Sequence, residues 1–346
     1  MKTITIQHRS SHHAQNSGYH RLLDFVPSTQ IPNNKGILPY RIAKFIGTHS
    51  NQEYAIYDST SVNKDITLIF KCFWPHAETK IIHYLHAERD IRHAISIKRF
   101  FSNTNFFGTF HKPPEVLKSQ IPKTKYLKLL DGIIAVGENQ VDFLKNWLNT
   151  DQVRYIPHGI DTDFFKPYPE VRRSNTLLFV GQHLRDFEAF NYCIPIIAQK
   201  VKGLTVNVIM REDFFHKITP HSCVTLWNGV NDEDLKRFYQ EASALFLPLI
   251  DSTACNSLLE ALSCGTPIIT TAVGGSLSYL AGTTNILTPN LDYDYLIEVC
   301  IAILKDDAKQ TSMGQSSRAK ALEYDWKVVA QTTQDFYNLV SSYHKS

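Results

Sequence analysis

Six cysteines, at 72, 193, 223, 255, 264 and 300, include no C-x-x-C pair. That spacing gives neither a zinc knuckle nor a disulfide frame, and the six read as small buried hydrophobes of a reducing compartment. No apolar run approaches the roughly 20 residues that cross a bilayer. The opening MKTITIQHRSSHH lacks the apolar core of a signal peptide, so the expected location is cytoplasmic. Internal repeats and low-complexity segments are absent. The formal charge of +3 is too small to demand nucleic acid. What remains is a 346-residue chain, 43% hydrophobic and 20% charged, which suits about two globular domains.

The most informative stretch runs from Ala244 to Ser276. Ala244–Ile250 reads as a buried strand, Asp251–Asn256 as a polar loop, and Ser257–Ser263 as a short helix with Leu258, Leu259 and Leu262 on one side. Thr266–Thr271 reads as a second buried strand running out into Gly274-Gly275. Strand, loop, helix and strand form a βαβ unit of a parallel sheet, and such sheets bind ligands at the carboxyl ends of their strands. Asp251–Asn256 and Val273–Ser276 are therefore expected on one crevice. A helix N-terminus suits phosphate, and Gly274 and Gly275 allow a ligand to approach backbone without a Cβ in the way. Glu260 has two readings: a carboxylate for ligand hydroxyls, or the far end of a capping box with Ser257.

Pro248, then Leu258-Leu259-Glu260-Ala261-Leu262-Ser263-Cys264-Gly265-Thr266-Pro267-Ile268-Ile269, then Gly274-Gly275 resembles the donor-site segment of retaining GT-B glycosyltransferases, in particular glycosyltransferase family 4 (group 1). Ser252 stands where that pattern has its first glutamate, with Asp251 beside it. Gly132–Glu138 resembles the family's "D-x-(V/I)-I-A-V-S" strand and turn. Val153–Pro167 resembles "I-P-N-G-(V/I)-D-x-x-x-F-x-P", Asp232–Ala242 the "L-x-x-x-Y-x-x-A-D" helix, and Tyr324-Asp325-Trp326 the "(F/Y)-x-W" signature before a final helix, Lys327–Tyr343. The resemblance implies an α/β GT-B fold of two Rossmann-like domains facing across a cleft. Residues 1–169 would form the acceptor domain, 170–325 the nucleotide-sugar donor domain, and 326–346 a helix returning to the first.

The same resemblance implies transfer of a sugar from a UDP- or GDP-linked donor to a saccharide, lipid-linked or protein acceptor, with retention and without metal or other cofactor. Asp161-Thr162-Asp163 spells D-x-D but matches the domain-end segment. Gly18 resembles the glycine that faces the donor phosphates. Gly181 ends the strand Thr176–Val180, and Gln182 and Phe187 stand where the family has its arginine and lysine. Arg185 is then the nearest cation for the diphosphate, with Arg211, after Thr205–Met210, another. Gly229 and Val230 would read the nucleobase. Cys255, Asn256, Ser257 and Leu258 would hold phosphate, Glu260 the ribose, and Asp251, Ser252 and Thr253 the sugar. His111, just past the strand Asn105–Phe110, resembles a histidine near the acceptor, and joins Asp251 and Glu260 as the expected catalytic residues. No covalent nucleophile stands out, so the leaving phosphate would assist the acceptor's deprotonation. A catalytically weak binding relative and a nucleotide-sugar epimerase are the alternatives.

The N-terminal half reads as alternating strands and helices: strands Lys2–Gln7, Glu53–Tyr57, Ile66–Phe70, Lys80–Leu85, Asn105–Phe110, Gly132–Val136 and Val153–Ile156, with a helix His20–Phe25. Glu88 is read as a helix cap or a ligand for an acceptor hydroxyl. Arg89, Arg92, Lys98 and Arg99 fall in one helical stretch, and Lys112, Lys118, Lys123, Lys125 and Lys128 follow. That basic surface fits peripheral docking on anionic lipid or is a solvated helix face.

Overall fold

The computed structural model describes residues 1–7, 16–31, 39, 41, 42, 45, 59–73, 79–91, 93–101, 103–168 and 175–343. The expected strand Glu53–Tyr57, residues 8–15, Arg92, and residues 169–174 around the expected domain boundary lie outside them. The chain divides into two compact units. Unit 1 contains the first strand, Tyr19–His158 and the chain from Lys327 onward; unit 2 contains Asn16–Gly18 and Gly159–Trp326.

Unit 1 is built from β1 (Lys2–Ile6), β2 (Thr29–Gln30), α1 (Ser59–Phe73), β3 (Lys80–Tyr84), α2 (Ala87–Asp90), β4 (Thr104–Phe110), α3 (Pro114–Gln120), β5 (Gly132–Ala135), α4 (Val141–Leu148) and β6 (Val153–Tyr155). Its parallel sheet runs β2-β1-β3-β4-β5-β6. Every residue of β3, β4 and β5 is buried, as in a sheet with both faces covered. Ile66–Phe70, expected as a strand, lies inside α1. Val62, Asp65, Leu68 and Cys72 are among its buried residues, at helical spacing, and a short, mostly apolar run does not by itself separate the two structures. His20–Phe25 is a 3-10 turn, Tyr19–Asp24. The basic stretch is not one helix: α2 ends at Asp90, and a 3-10 segment, Ala94–Phe100, kinks at Ile97.

Unit 2 follows with β7 (Thr176–Val180), α5 (Phe187–Lys200), β8 (Thr205–Ile209), β9 (Val224–Trp227), α6 (Asp232–Glu241), β10 (Ala244–Leu247), α7 (Asn256–Ser263), β11 (Ile268–Thr271), α8 (Ser276–Tyr279), β12 (Ile286–Thr288), α9 (Tyr293–Leu304) and α10 (Asp307–Glu323). Its sheet is also parallel, in the order β12-β11-β10-β7-β8-β9. The chain enters this unit at Gly159, ahead of residue 170. Ile160 N–H donates to Tyr324 O at 2.9 Å, Phe165 is buried in the unit's core, and Arg318 donates to Thr162 O and Phe165 O at 3.0 and 3.1 Å.

The last helix, α11 (Trp326–Tyr343), packs within unit 1 from Lys327 on. Phe336 and Tyr337 meet Phe107 edge-on at 5.6 and 4.8 Å. Tyr337 Oη lies 2.5 Å from His83 Nδ1, whose Nε2 lies 2.7 Å from Thr109 Oγ1. Burial pushes the His83 imidazole down to about 3, so the ring is neutral at pH 7, with one nitrogen donating and the other accepting. These polar contacts and the aromatic packing fix the helix to the sheet.

In unit 2 the strand order reverses between β7 and β10, the place where open parallel sheets bind ligands. The loops leaving these strands are tied together: Asp186 N–H donates to Pro248 O and Ile250 N–H to Leu184 O, each at 3.0 Å.

Candidate functional site

At the carboxyl end of β7 the chain turns on Gly181, φ +86°, and comes back as Arg185. A Cβ on Gly181 would lie 2.8 Å from Arg185 Nη2, so the glycine makes room for the guanidinium. Arg185 is 9% exposed. Its Nε donates to Val180 O at 2.9 Å, Nη1 to His183 O at 2.9 Å and Nη2 to Ser257 Oγ at 3.1 Å. These contacts use three of its five N–H groups and fix a cation against the first turn of α7. Ser257 Oγ in turn donates to Val180 O at 3.3 Å. The capping-box reading fails. The residue before α7 is Cys255, without a side-chain cap, and Ser257 is already inside the helix facing β7.

Glu260 lies one turn further in and is 4% exposed. Tyr239 Oη donates to its Oε2 at 2.7 Å, and Ser17 Oγ donates to its Oε1. Burial pushes the carboxyl up to about 7; the two hydroxyls and Arg185 pull it back, and Asp232 raises it. Asn16 donates through its backbone N–H and Nδ2 to Asp232 Oδ2, at 2.7 and 2.9 Å. Gly18 follows at φ +105°. Ser17 and Tyr239 are not among the expected site residues. Tyr239 reads in the sequence as an inward core position of α6, and nothing in the spacing pairs either residue with Glu260.

Gly274 and Gly275 bring two loops together. A Cβ at Gly275 would overlap the Thr253 carbonyl, and one at Gly274 the Ser252 carbonyl. Gly275 N–H donates to Ser252 O at 2.9 Å. Ser252 Oγ donates to Val273 O at 3.2 Å and accepts from Ser276 N–H at 3.1 Å. Ser252 and Thr253 are thus buried parts of a loop clamp. Asp251 is half-buried, and burial raises its carboxyl above the usual range; Oδ1 accepts from Ser252 N–H at 2.7 Å.

The other expected donor residues are scattered in character. Asn256 is half-buried, and Cys255 and Leu258 are buried in the core, so Leu258 offers a ligand only its backbone. Gly229, φ +66°, faces open space, while Val230 packs partly on the core. Arg211 is exposed, ion-paired with Asp213 and 5.9 Å over the Phe214 ring, a surface arrangement and not a buried phosphate clamp. Asp161 Oδ1 accepts from Phe164 N–H at 2.9 Å and Thr162 donates to Asp325, so the D-x-D spelling here builds the turn.

His111 belongs to unit 1, directly after β4. Its Nε2 lies 2.7 Å from Leu85 O; a carbonyl only accepts, so Nε2 carries the proton and the lone pair sits on Nδ1. The ring stacks on His86 at 4.5 Å and meets Tyr19 edge-on at 4.7 Å. Burial pushes the imidazole down to about 4, which keeps it neutral at pH 7. Glu88 is no cap: His86 occupies the position before α2, and Glu88 Oε1 accepts from the His111 backbone N–H at 3.2 Å. Burial lifts its carboxyl to about 7.

Residues 174–306 match the family model "Glycosyl transferases group 1". The D-inositol 3-phosphate glycosyltransferase of Kribbella flavida is 32% identical over 104 residues, 30% of this chain and 24% of the relative. A human protein that forms part of phosphatidylinositol N-acetylglucosaminyltransferase is 24% identical over 263 residues, 71% of this chain and 53% of the relative. The chain thus spans from a quarter to about half the length of these relatives. Among solved structures, Anabaena HepE in complex with UDP and glucose superposes with a TM-score of 0.65 at 12% identity, covering 98% of this chain and 99% of that one. The architecture is the α/β fold of GT-B glycosyltransferases, and unit 2 carries the group 1 match.

Proposed function

We propose that the chain is a glycosyltransferase that moves a sugar from a UDP- or GDP-linked donor to an acceptor hydroxyl with retention of anomeric configuration. The observation that carries this reading is the convergence of Arg185, the N-terminal turn of α7 and Glu260 at the switch point of unit 2, within the segment that matches the group 1 model.

In this reading the backbone N–H groups of Cys255–Ser257 and the Arg185 fork receive the diphosphate. Glu260 receives ribose hydroxyls, and Asp251, the half-buried acid of the β10 loop, a sugar hydroxyl. As the anomeric carbon–oxygen bond to phosphate breaks, the acceptor oxygen bonds to that carbon on the same face. Its proton passes to the departing phosphate oxygen, which is why no covalent nucleophile is required. His111 in unit 1 acts on the acceptor side as a neutral ring that accepts a hydrogen bond through Nδ1. The relatives' names support an inositol phosphate or a phosphatidylinositol as the acceptor class.

Among the described residues no helix is long and apolar enough to cross a membrane. Arg99, Lys123, Lys125 and Lys128 with exposed Phe100 and Leu129 suit peripheral contact with anionic lipid. Co-sedimentation with anionic liposomes that salt abolishes is the expected result; no salt-sensitive binding removes that part. The function is tested by incubating the protein with a panel of UDP- and GDP-sugars and an inositol phosphate. The expected result is release of nucleoside diphosphate and, by NMR, a product whose anomeric configuration matches that of the donor. No turnover of any donor, or an inverted product, contradicts the reading.

A further inference from the structure

Glu260, assigned above to ligand hydroxyls, is already receiving two hydroxyls from the protein. The two donors differ in kind. Tyr239 is buried in the packed face of α6. Ser17 belongs to no helix or strand of unit 2: it arrives on Asn16–Gly18, an excursion of chain, while β1 before it and Tyr19 after it belong to unit 1. The hydrogen bonds that seat the excursion end on two side chains, Asn16 on Asp232 and Ser17 on Glu260. At Gly18 the backbone leaves at φ +105°, a conformation that suits glycine.

We propose that Ser17 is a built-in stand-in for a ligand hydroxyl: Asn16–Gly18 occupies Oε1 of Glu260 and is exchanged for the ribose when a nucleotide binds. The inference rests on the nucleotide reading of unit 2. The exchange is hydroxyl for hydroxyl, so the buried carboxylate keeps its donors throughout and no uncompensated charge is created. When Asn16 leaves, Asp232 stays in the first turn of α6, where the helix end stabilises a negative charge. An internal competitor lowers apparent affinity by the fraction of time the site is open. Ser17 therefore sets a threshold for the nucleotide, whereas Tyr239, which stays, is a positioning residue.

The two roles predict opposite signs. In isothermal titration of the full chain with UDP and with GDP, Ser17→Ala should bind about three- to ten-fold more tightly than wild type, the worth of one such hydrogen bond. Asn16→Ala should move in the same direction, and Tyr239→Phe in the opposite one. Amide exchange at Asn16–Gly18 should speed up on saturation with the bound nucleotide. If wild type binds and Ser17→Ala and Asn16→Ala bind equally or more weakly, with circular dichroism unchanged, the exchange is overturned and the nucleotide reading stands. If neither nucleotide binds wild type or any folded variant, the nucleotide reading is overturned and the exchange falls with it.

Discussion

Replacing Glu260 by glutamine should make unit 2 more stable and less able to bind nucleotide at once. The carboxyl is buried, and burial lifts it to about 7 from an ordinary value of 4.5. For an acid raised in this way the unfolded chain gives up its proton first. The stability tied to the group is therefore full below about pH 4.5 and is lost as the pH rises through about 7. The offset corresponds to about 3 kcal/mol once both states are ionised, at 1.36 kcal/mol per unit. Glutamine does not titrate, and it keeps an acceptor for one neighbouring hydroxyl and a donor for the other. Urea denaturation of both proteins at pH 5 and pH 8 should show the Glu260→Gln advantage growing by about 2–3 kcal/mol between the two. The histidines with depressed values, His83 and His111, are common to both proteins and cancel. Nucleoside diphosphate affinity should fall about ten- to a hundred-fold in the same variant, the worth of a hydrogen bond to a charged group. A stability difference that does not change with pH, or a variant less stable at pH 8, would refute the claim that burial strains this carboxylate.

Three further outcomes follow from the geometry. Arg185→Ala should lower kcat/KM about 10²–10³-fold if the guanidinium meets charge that develops on the leaving phosphate, and Arg185→Lys should not restore it because an ammonium lacks the fork. Gly275→Ala should destabilise unit 2 by about 2–4 kcal/mol in a denaturation curve, because its Cβ overlaps the Thr253 carbonyl; an unchanged curve would mean that the two loops are not clamped. His111→Ala should lower kcat with little change in donor KM. The wild-type profile should show no histidine limb near pH 6.5, since the ring is held at about 4; a limb near 6.5 that this variant abolishes would contradict the buried, neutral ring.

The parallel strands of unit 2 are legible because buried strands are nearly unbroken apolar or β-branched runs: Ala244–Leu247 is apolar throughout, and Ile268–Thr271 is β-branched throughout. The same rule misleads at Ile66–Phe70, where the run is the flank of a helix whose inner face also holds Asp65 and Cys72. Helix α10 is silent in periodicity for another reason: Gln310, Gly314, Ser317 and Ala321 are among its buried residues, so its inward face is largely small or polar. The site divides in the same way. Arg185 and Glu260 are legible from motif and strand end. Ser17 lies 243 residues and Tyr239 21 residues from Glu260, separations that no local pattern encodes. Gly274-Gly275 is legible as a place of close approach, but which group approaches depends on a loop more than twenty residues earlier.

The most direct measurement is a crystal structure of the protein with UDP or GDP. Diphosphate density beside Cys255–Ser257 and Arg185, with ribose hydroxyls on Glu260, is the predicted result. A nucleotide bound elsewhere, with Glu260 still closed by Tyr239 and Ser17, would contradict it.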